Sequence, residues 1–188
     1  MTTTLIDIKK EQELAKEKIK AQGLRVLVCA GTGCMANGSL DVIKQFESYG
    51  ANVRTLTDYD KMTIVPTGCH GFCEKGVLVI IPDLDITYVK VKPEDVEEIM
   101  ESHIKNNKPV ERLLYTDPKT GEHIHRNEDI GFYNQQTRTS LANCGHINAE
   151  SLDEAIAVGG YAALHKVLEQ NNPDAVIEEI TKSGLRGR

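Results

Sequence analysis

The sequence predicts an α/β fold, and three observations predict it. Short runs rich in Val, Ile and Leu alternate with stretches of helical periodicity. Glycine-rich loops stand at the junctions between them. The 188 residues, 40% hydrophobic and 27% charged, have the balance of a globular chain with room for one domain and a smaller unit.

The elements follow in order. Residues 4–22 read as an exposed helix with Ile8, Ala15 and Ile19 as a thin apolar stripe, stopped by Gly23. Leu24–Cys29 reads as a buried strand. A small-residue loop from Ala30 to Gly38 precedes a helix that Ser39 can cap, with Val42, Ile43, Phe46 and Tyr49 on one face and Gly50 at its end. Val53–Leu56 and Met62–Val65 are further strands about the turn Asp58-Tyr59-Asp60. A second glycine-rich loop, Gly68–Cys73, comes before a hairpin of Val77–Ile81 and Ile86–Val91. Pro93 opens a helix with Val96, Ile99, Met100 and His103 inward. After Lys108 the pattern fades. Residues 109–140 are polar and aperiodic, read as a linker or an extended wrapping segment. Helices return at Ser151–Glu154, a capping box, then at Tyr161–Gln170 with Leu164, Val167 and Leu168 inward, and again after Asn172-Pro173, with Gly184 as a stop.

Several function classes drop out. A net charge of −6 argues against a nucleic-acid partner. No apolar run reaches the roughly 20 residues of a membrane span. The N-terminus lacks the apolar core of a signal peptide, which points to a reducing, cytoplasmic setting where structural disulfides are disfavoured.

Four of the five cysteines form a pattern. Cys29 and Cys34 enclose four residues, and Cys69 and Cys73 enclose three. Each pair sits in a glycine-rich loop beside a strand, so two loops at one sheet edge would bring four thiolates together. Two irons bridged by two sulfides take two thiolates each. Glycines let the backbone approach such a core closely. Structural zinc also takes four thiolates, usually from Cys-x₂-Cys knuckles, and stays open as the rival: a docking module without redox activity. His70 reads as a residue beside the metal shell or on the surface, and Cys144, without a partner cysteine, as a buried structural thiol.

Cys29-x₄-Cys34 with Cys69-x₃-Cys73, and the run Thr67-Gly-Cys-His-Gly-Phe-Cys-Glu-Lys-Gly76, resemble the thioredoxin-like 2Fe-2S ferredoxins. The resemblance implies a thioredoxin-like domain over 23–108 with those four cysteines on a 2Fe-2S cluster. Val110–Tyr115, Leu141–His146, Ala157–Tyr161 and Ser183–Arg188 resemble the start of the NADH-binding flavoprotein subunit of respiratory complex I. A ferredoxin domain fused ahead of that start is similar to a subunit of electron-bifurcating NAD(P)-linked hydrogenases. The two resemblances imply an electron-transfer module: an N-terminal helix over 1–22, the ferredoxin domain, a linker over 109–140, and helices over 141–188 that open a flavoprotein domain cut off before its flavin site. They imply ferredoxin-like, hydrogenase or dehydrogenase subunits as partners. FMN and NAD(P) would belong to the complete subunit, with Gly187 and Arg188 as the first residues of its flavin and nicotinamide loop. No residue of this chain is expected to act as acid, base or nucleophile.

Overall fold

The computed structural model describes residues 6–50 and 61–187. Its chain divides into two units: Lys20–Ser151, and the residues up to Ile19 together with those from Leu152 on.

The larger unit is built on a four-stranded sheet of order β2-β1-β3-β4. β1 is Leu24–Cys29, β2 Met62–Thr67, β3 Val79–Ile81 and β4 Ile86–Tyr88. β1 and β2 are parallel, in register from Leu24 beside Met62 to Cys29 beside Thr67. Parallel neighbours need a crossover, and it carries two helices: α2 (Thr32–Ala36) and α3 (Ser39–Gly50). The expected strand Val53–Leu56 and the turn after it lie outside the described residues. β3 runs antiparallel to β1 and pairs with β4 through the hairpin expected around Pro82.

Both sheet faces are covered, which explains why the strands read as continuous apolar runs. On one face Val26, Val28, Val79 and Ile81 pack with Val42 and Phe46 of α3. Leu27, Val65 and Ile80 alternate onto the other face. The helical run that Pro93 opens passes through one α-turn, α4 (Val96–Glu98), into a π-helix over Ile99–Ile104. Val96, Ile99, Met100 and His103 are buried, as their spacing predicts.

Residues 109–140 do not hang between domains. Val89 N–H donates to the Leu113 carbonyl (2.8 Å), Tyr88 and Leu114 form an antiparallel bridge, and Thr87 N–H donates to the His125 carbonyl (2.7 Å), so this chain continues the sheet beyond β4. β5 (Tyr115–Thr116) and β6 (His123–Ile124) form a short hairpin, and Gly131–Asn134 a helical turn, α5. Val110, Leu113, Leu114, Tyr115 and Ile130 are buried. The linker reading is corrected here in favour of its wrapping alternative: the apolar anchors are few, widely spaced, and all used. Tyr88 makes a further tie. Its hydroxyl accepts from Val110 N–H (3.0 Å) and bonds His103 Nδ1 (2.8 Å).

In the smaller unit α1 (Ile8–Lys20) is shorter than its expected 4–22 and starts on Asp7, whose carboxylate accepts from the Lys9 and Lys10 N–H groups. α6 (Leu152–Ala157), α7 (Ala162–Gln170) and α8 (Pro173–Ser183) follow. Lys18 pairs with Asp153 at 2.9 Å. Asn172 caps α8 through Ala175 N–H, and Gly184 ends it in the left-handed region. Leu164 and Leu168, expected inward, are 52% and 51% exposed. Helical periodicity marks an apolar stripe, but this small helical unit does not cover these two side chains.

Candidate cluster site

The parallel register of β1 and β2 creates the site. It ends both strands at one sheet edge, with Cys29 beside Thr67 and Ala30 N–H donating to the Thr67 carbonyl (2.9 Å). The first loop then turns into α2, which carries Cys34, while the second runs on to Cys69 and Cys73. Cys29 and Cys34 are buried; Cys69 and Cys73 are exposed.

The thiols come as two pairs. Cys69 and Cys73 Sγ are 3.9 Å apart, close to the ~3.8 Å edge of a tetrahedron with ~2.3 Å metal–sulfur bonds. The Cys34 side chain holds Cys29 down to about 6, while Cys29 and burial push Cys34 up. Cys73 is raised, first by its hydrogen bond with Cys69. Among the described residues no group of three or more His, Cys, Asp or Glu side chains is set to hold a metal ion. A dinuclear cluster asks for less, two thiolates per iron, with sulfides completing each shell.

Glycines let the loops meet. A Cβ on Gly31 would lie 2.7 Å from Cys69 Cβ, one on Gly33 3.3 Å from Cys73 Sγ, and one on Gly76 2.6 Å from Cys34 Sγ. Each of these three glycines thus faces a cysteine of the opposite segment. Gly71 N–H donates to Cys69 Sγ at 3.3 Å, the kind of bond that favours an anionic sulfur. A thiolate-only donor set, in two pairs, walled by glycine where a Cβ would intrude, fits a 2Fe-2S cluster.

Comparison with known proteins agrees. Residues 16–103 match the family described as thioredoxin-like [2Fe-2S] ferredoxin. A "Ferredoxin, 2Fe-2S" from Aquifex aeolicus is 37% identical over 87 residues, which are 46% of this chain and 76% of that protein. The chain belongs to the thioredoxin-like 2Fe-2S ferredoxins. Two longer proteins are also similar. The NADP-reducing hydrogenase subunit HndC of Solidesulfovibrio fructosivorans is 46% identical over 54 residues, 29% of this chain and 11% of that protein. The mitochondrial NADH dehydrogenase [ubiquinone] flavoprotein 2 of Dictyostelium discoideum is 32% identical over 117 residues, 62% of this chain and 42% of its own length.

The ferredoxin site has a wall that sequence reasoning missed. Along the loop Gly68–Phe72, residue after residue meets the segment 132–146, which lies beyond the residues matched to the family. Gly68 faces Cys144. His70 is 1% exposed, not on the surface, with its ring against the Gly145 backbone. Burial, the neighbouring His146 and Arg138 push it down to about 4. Arg138 donates to the His70 carbonyl. Phe72 stacks on Phe132 at 4.3 Å and meets Tyr133 edge-on at 5.7 Å. Cys144 is half-buried beside the ligand loop. The available signal was the aromatic doublet Phe132-Tyr133 in an otherwise polar stretch. Gly187, expected near a flavin loop, has nothing within 4 Å of a built Cβ, and Arg188 lies outside the described residues.

Proposed function

We propose that this chain is the iron–sulfur electron-transfer module of an NAD(P)H-linked dehydrogenase or hydrogenase subunit, with Cys29, Cys34, Cys69 and Cys73 holding a 2Fe-2S cluster. The carrying observation is the meeting of two cysteine pairs at one sheet edge, each faced by glycine of the opposite segment. When bound, such a cluster accepts and returns one electron at a time.

The protein's part is positional. Cys29 and Cys34, buried under α2 and the sheet end, hold one side away from water. Cys69 and Cys73 leave the other side open, so electrons enter and leave there. Gly71 N–H donates to the Cys69 thiolate and favours its charged form.

The relay between a flavin centre and partner redox subunits is supported by likeness to the hydrogenase subunit and to the NADH dehydrogenase flavoprotein. FMN and NAD(P) are proposed as cofactors of the NAD(P)H-linked subunit, by likeness to the same two relatives. Among the described residues no helix is long and apolar enough to cross a membrane.

Reductive titration with dithionite tests the proposal. It should add one electron per chain and produce one paramagnetic centre per chain in the EPR spectrum. A colourless protein that takes up no electron and carries zinc is the rival docking module.

A further inference from the structure

The hydroxyl of Tyr133 is buried and has no hydrogen-bond partner. Buried hydroxyls are nearly always paired, because leaving one unmet forfeits its hydration with nothing in return. The ring cannot swing to find water. It is fixed edge-on against Phe72 at 5.7 Å, Phe132 at 5.1 Å and His70 at 6.2 Å, and Arg138 lies over its face at 5.4 Å. Arg138 is itself committed to the His70 carbonyl.

Its surroundings say what the hydroxyl faces. Tyr133 packs on the apolar cluster that contains Cys29, Cys34 and Phe72. Burial is the first cause that raises its pKa; Arg138 opposes the rise, and the thiols of Cys29, Cys34 and Cys69 add to it. Two of the four proposed ligands, Cys29 and Cys34, thus belong to the buried cluster on which this phenol packs, and each would be an electron-rich sulfur once iron is bound.

We infer that the Tyr133 hydroxyl donates a hydrogen bond to a sulfur of the bound cluster, and that the segment carrying it sets the cluster's potential. The inference rests on the proposed function and adds to it a residue outside the four cysteines. The helical turn Gly131–Asn134 positions the phenol, with Ile130, fully buried, as its anchor. Reduction adds a negative charge to the cluster. A donor to sulfur stabilises the reduced form more than the oxidised one and raises the potential.

The experiment compares three full-length proteins: wild type, Tyr133→Phe, and a protein with 3-fluorotyrosine at position 133. Phe keeps the ring and removes the donor; the fluorinated phenol is more acidic and donates more strongly. Dye-mediated redox titration should give potentials in the order Phe, Tyr, fluorotyrosine, lowest first. The Phe step should change the oxidised-to-reduced ratio at fixed potential about threefold, which is about 28 mV for a one-electron couple. Deuterium oxide should shift the Fe–S vibrational bands of wild type more than those of Tyr133→Phe. Coincident potentials in all three, with equal isotope shifts, would overturn the inference and leave the cluster reading standing. If Tyr133→Phe loses its cluster, the fluorotyrosine protein decides alone: a potential equal to wild type overturns the inference. A wild-type protein without a 2Fe-2S spectrum overturns the proposed function and this inference together.

Discussion

Replacing Gly145 by Ala should destabilise the larger unit far more than the same change at Gly121, though both glycines have left-handed backbones. Gly145 has φ +89 and Gly121 φ +75. An L-residue there costs about 1–2 kcal/mol. The unfolded chain loses similar freedom at both sites, so that contribution of about 0.4–1 kcal/mol cancels in the comparison. The difference is steric. A Cβ at Gly121 meets nothing within 4 Å, whereas one at Gly145 falls on three atoms of the His70 imidazole, far inside contact distance. That ring is 1% exposed, and Tyr133 and His146 lie beside it. It cannot step aside cheaply, and overpacking of this kind adds about 1–3 kcal/mol. Gly145→Ala should then cost about 1–3 kcal/mol more than Gly121→Ala. At roughly 3–4 °C per kcal/mol for a unit of this size, its melting temperature should lie about 3–12 °C below that of Gly121→Ala. Thermal unfolding followed by circular dichroism and by cluster absorbance checks this. Because His70 adjoins Cys69, the cluster of Gly145→Ala should also bleach first. Equal melting temperatures for the two variants would refute the packing of segment 132–146 on the ligand loop.

Cys34→Ser and Cys73→Ser should each bleach or shift the visible spectrum, while Cys144→Ser should leave it intact; abolition by Cys144→Ser alone would make the ligand set wrong. A chain ending at Lys108 should fail to hold a stable cluster, since it exposes core that Leu113, Leu114, Tyr115 and Ile130 now cover; each lost apolar anchor withholds about 1.5–3 kcal/mol. Limited proteolysis and cluster loading of that shortened chain decide the point. Stability should fall as pH drops below about 6.5: burial holds His103, His146 and His70 below their ordinary range in the folded protein, His70 at about 4, so unfolding takes up protons there. Urea midpoints at pH 7.5 and 5 measure it, and His103→Asn should reduce the difference between them.

The strands, the crossover and the cysteine pairs were legible because each rests on a local signal. Leu24–Cys29 is apolar at every position but Arg25 because β1 is central and covered on both faces. The loop cysteines carry their own spacing. The register that brings Cys29 beside Thr67 is a long-range fact, yet two glycine-rich loops after two strands were enough to expect the meeting. Residues 109–140 were not legible in the same way. Their anchors, Val110, Leu113, Tyr115 and Ile130, follow neither a helical nor a two-residue period, since the segment docks by single side chains and isolated backbone bonds. The same holds for Tyr133 and Gly145, whose roles come from what lies across the gap. At Leu164 and Leu168 the period was right and the burial was not, because periodicity names a face without supplying its cover.

The inorganic content of the protein tests the cluster most directly. Purified without oxygen and analysed for iron, acid-labile sulfide and zinc, it should be red-brown and contain about two irons and two sulfides per chain. One zinc per chain with no sulfide would contradict the cluster and, with it, the electron-transfer role.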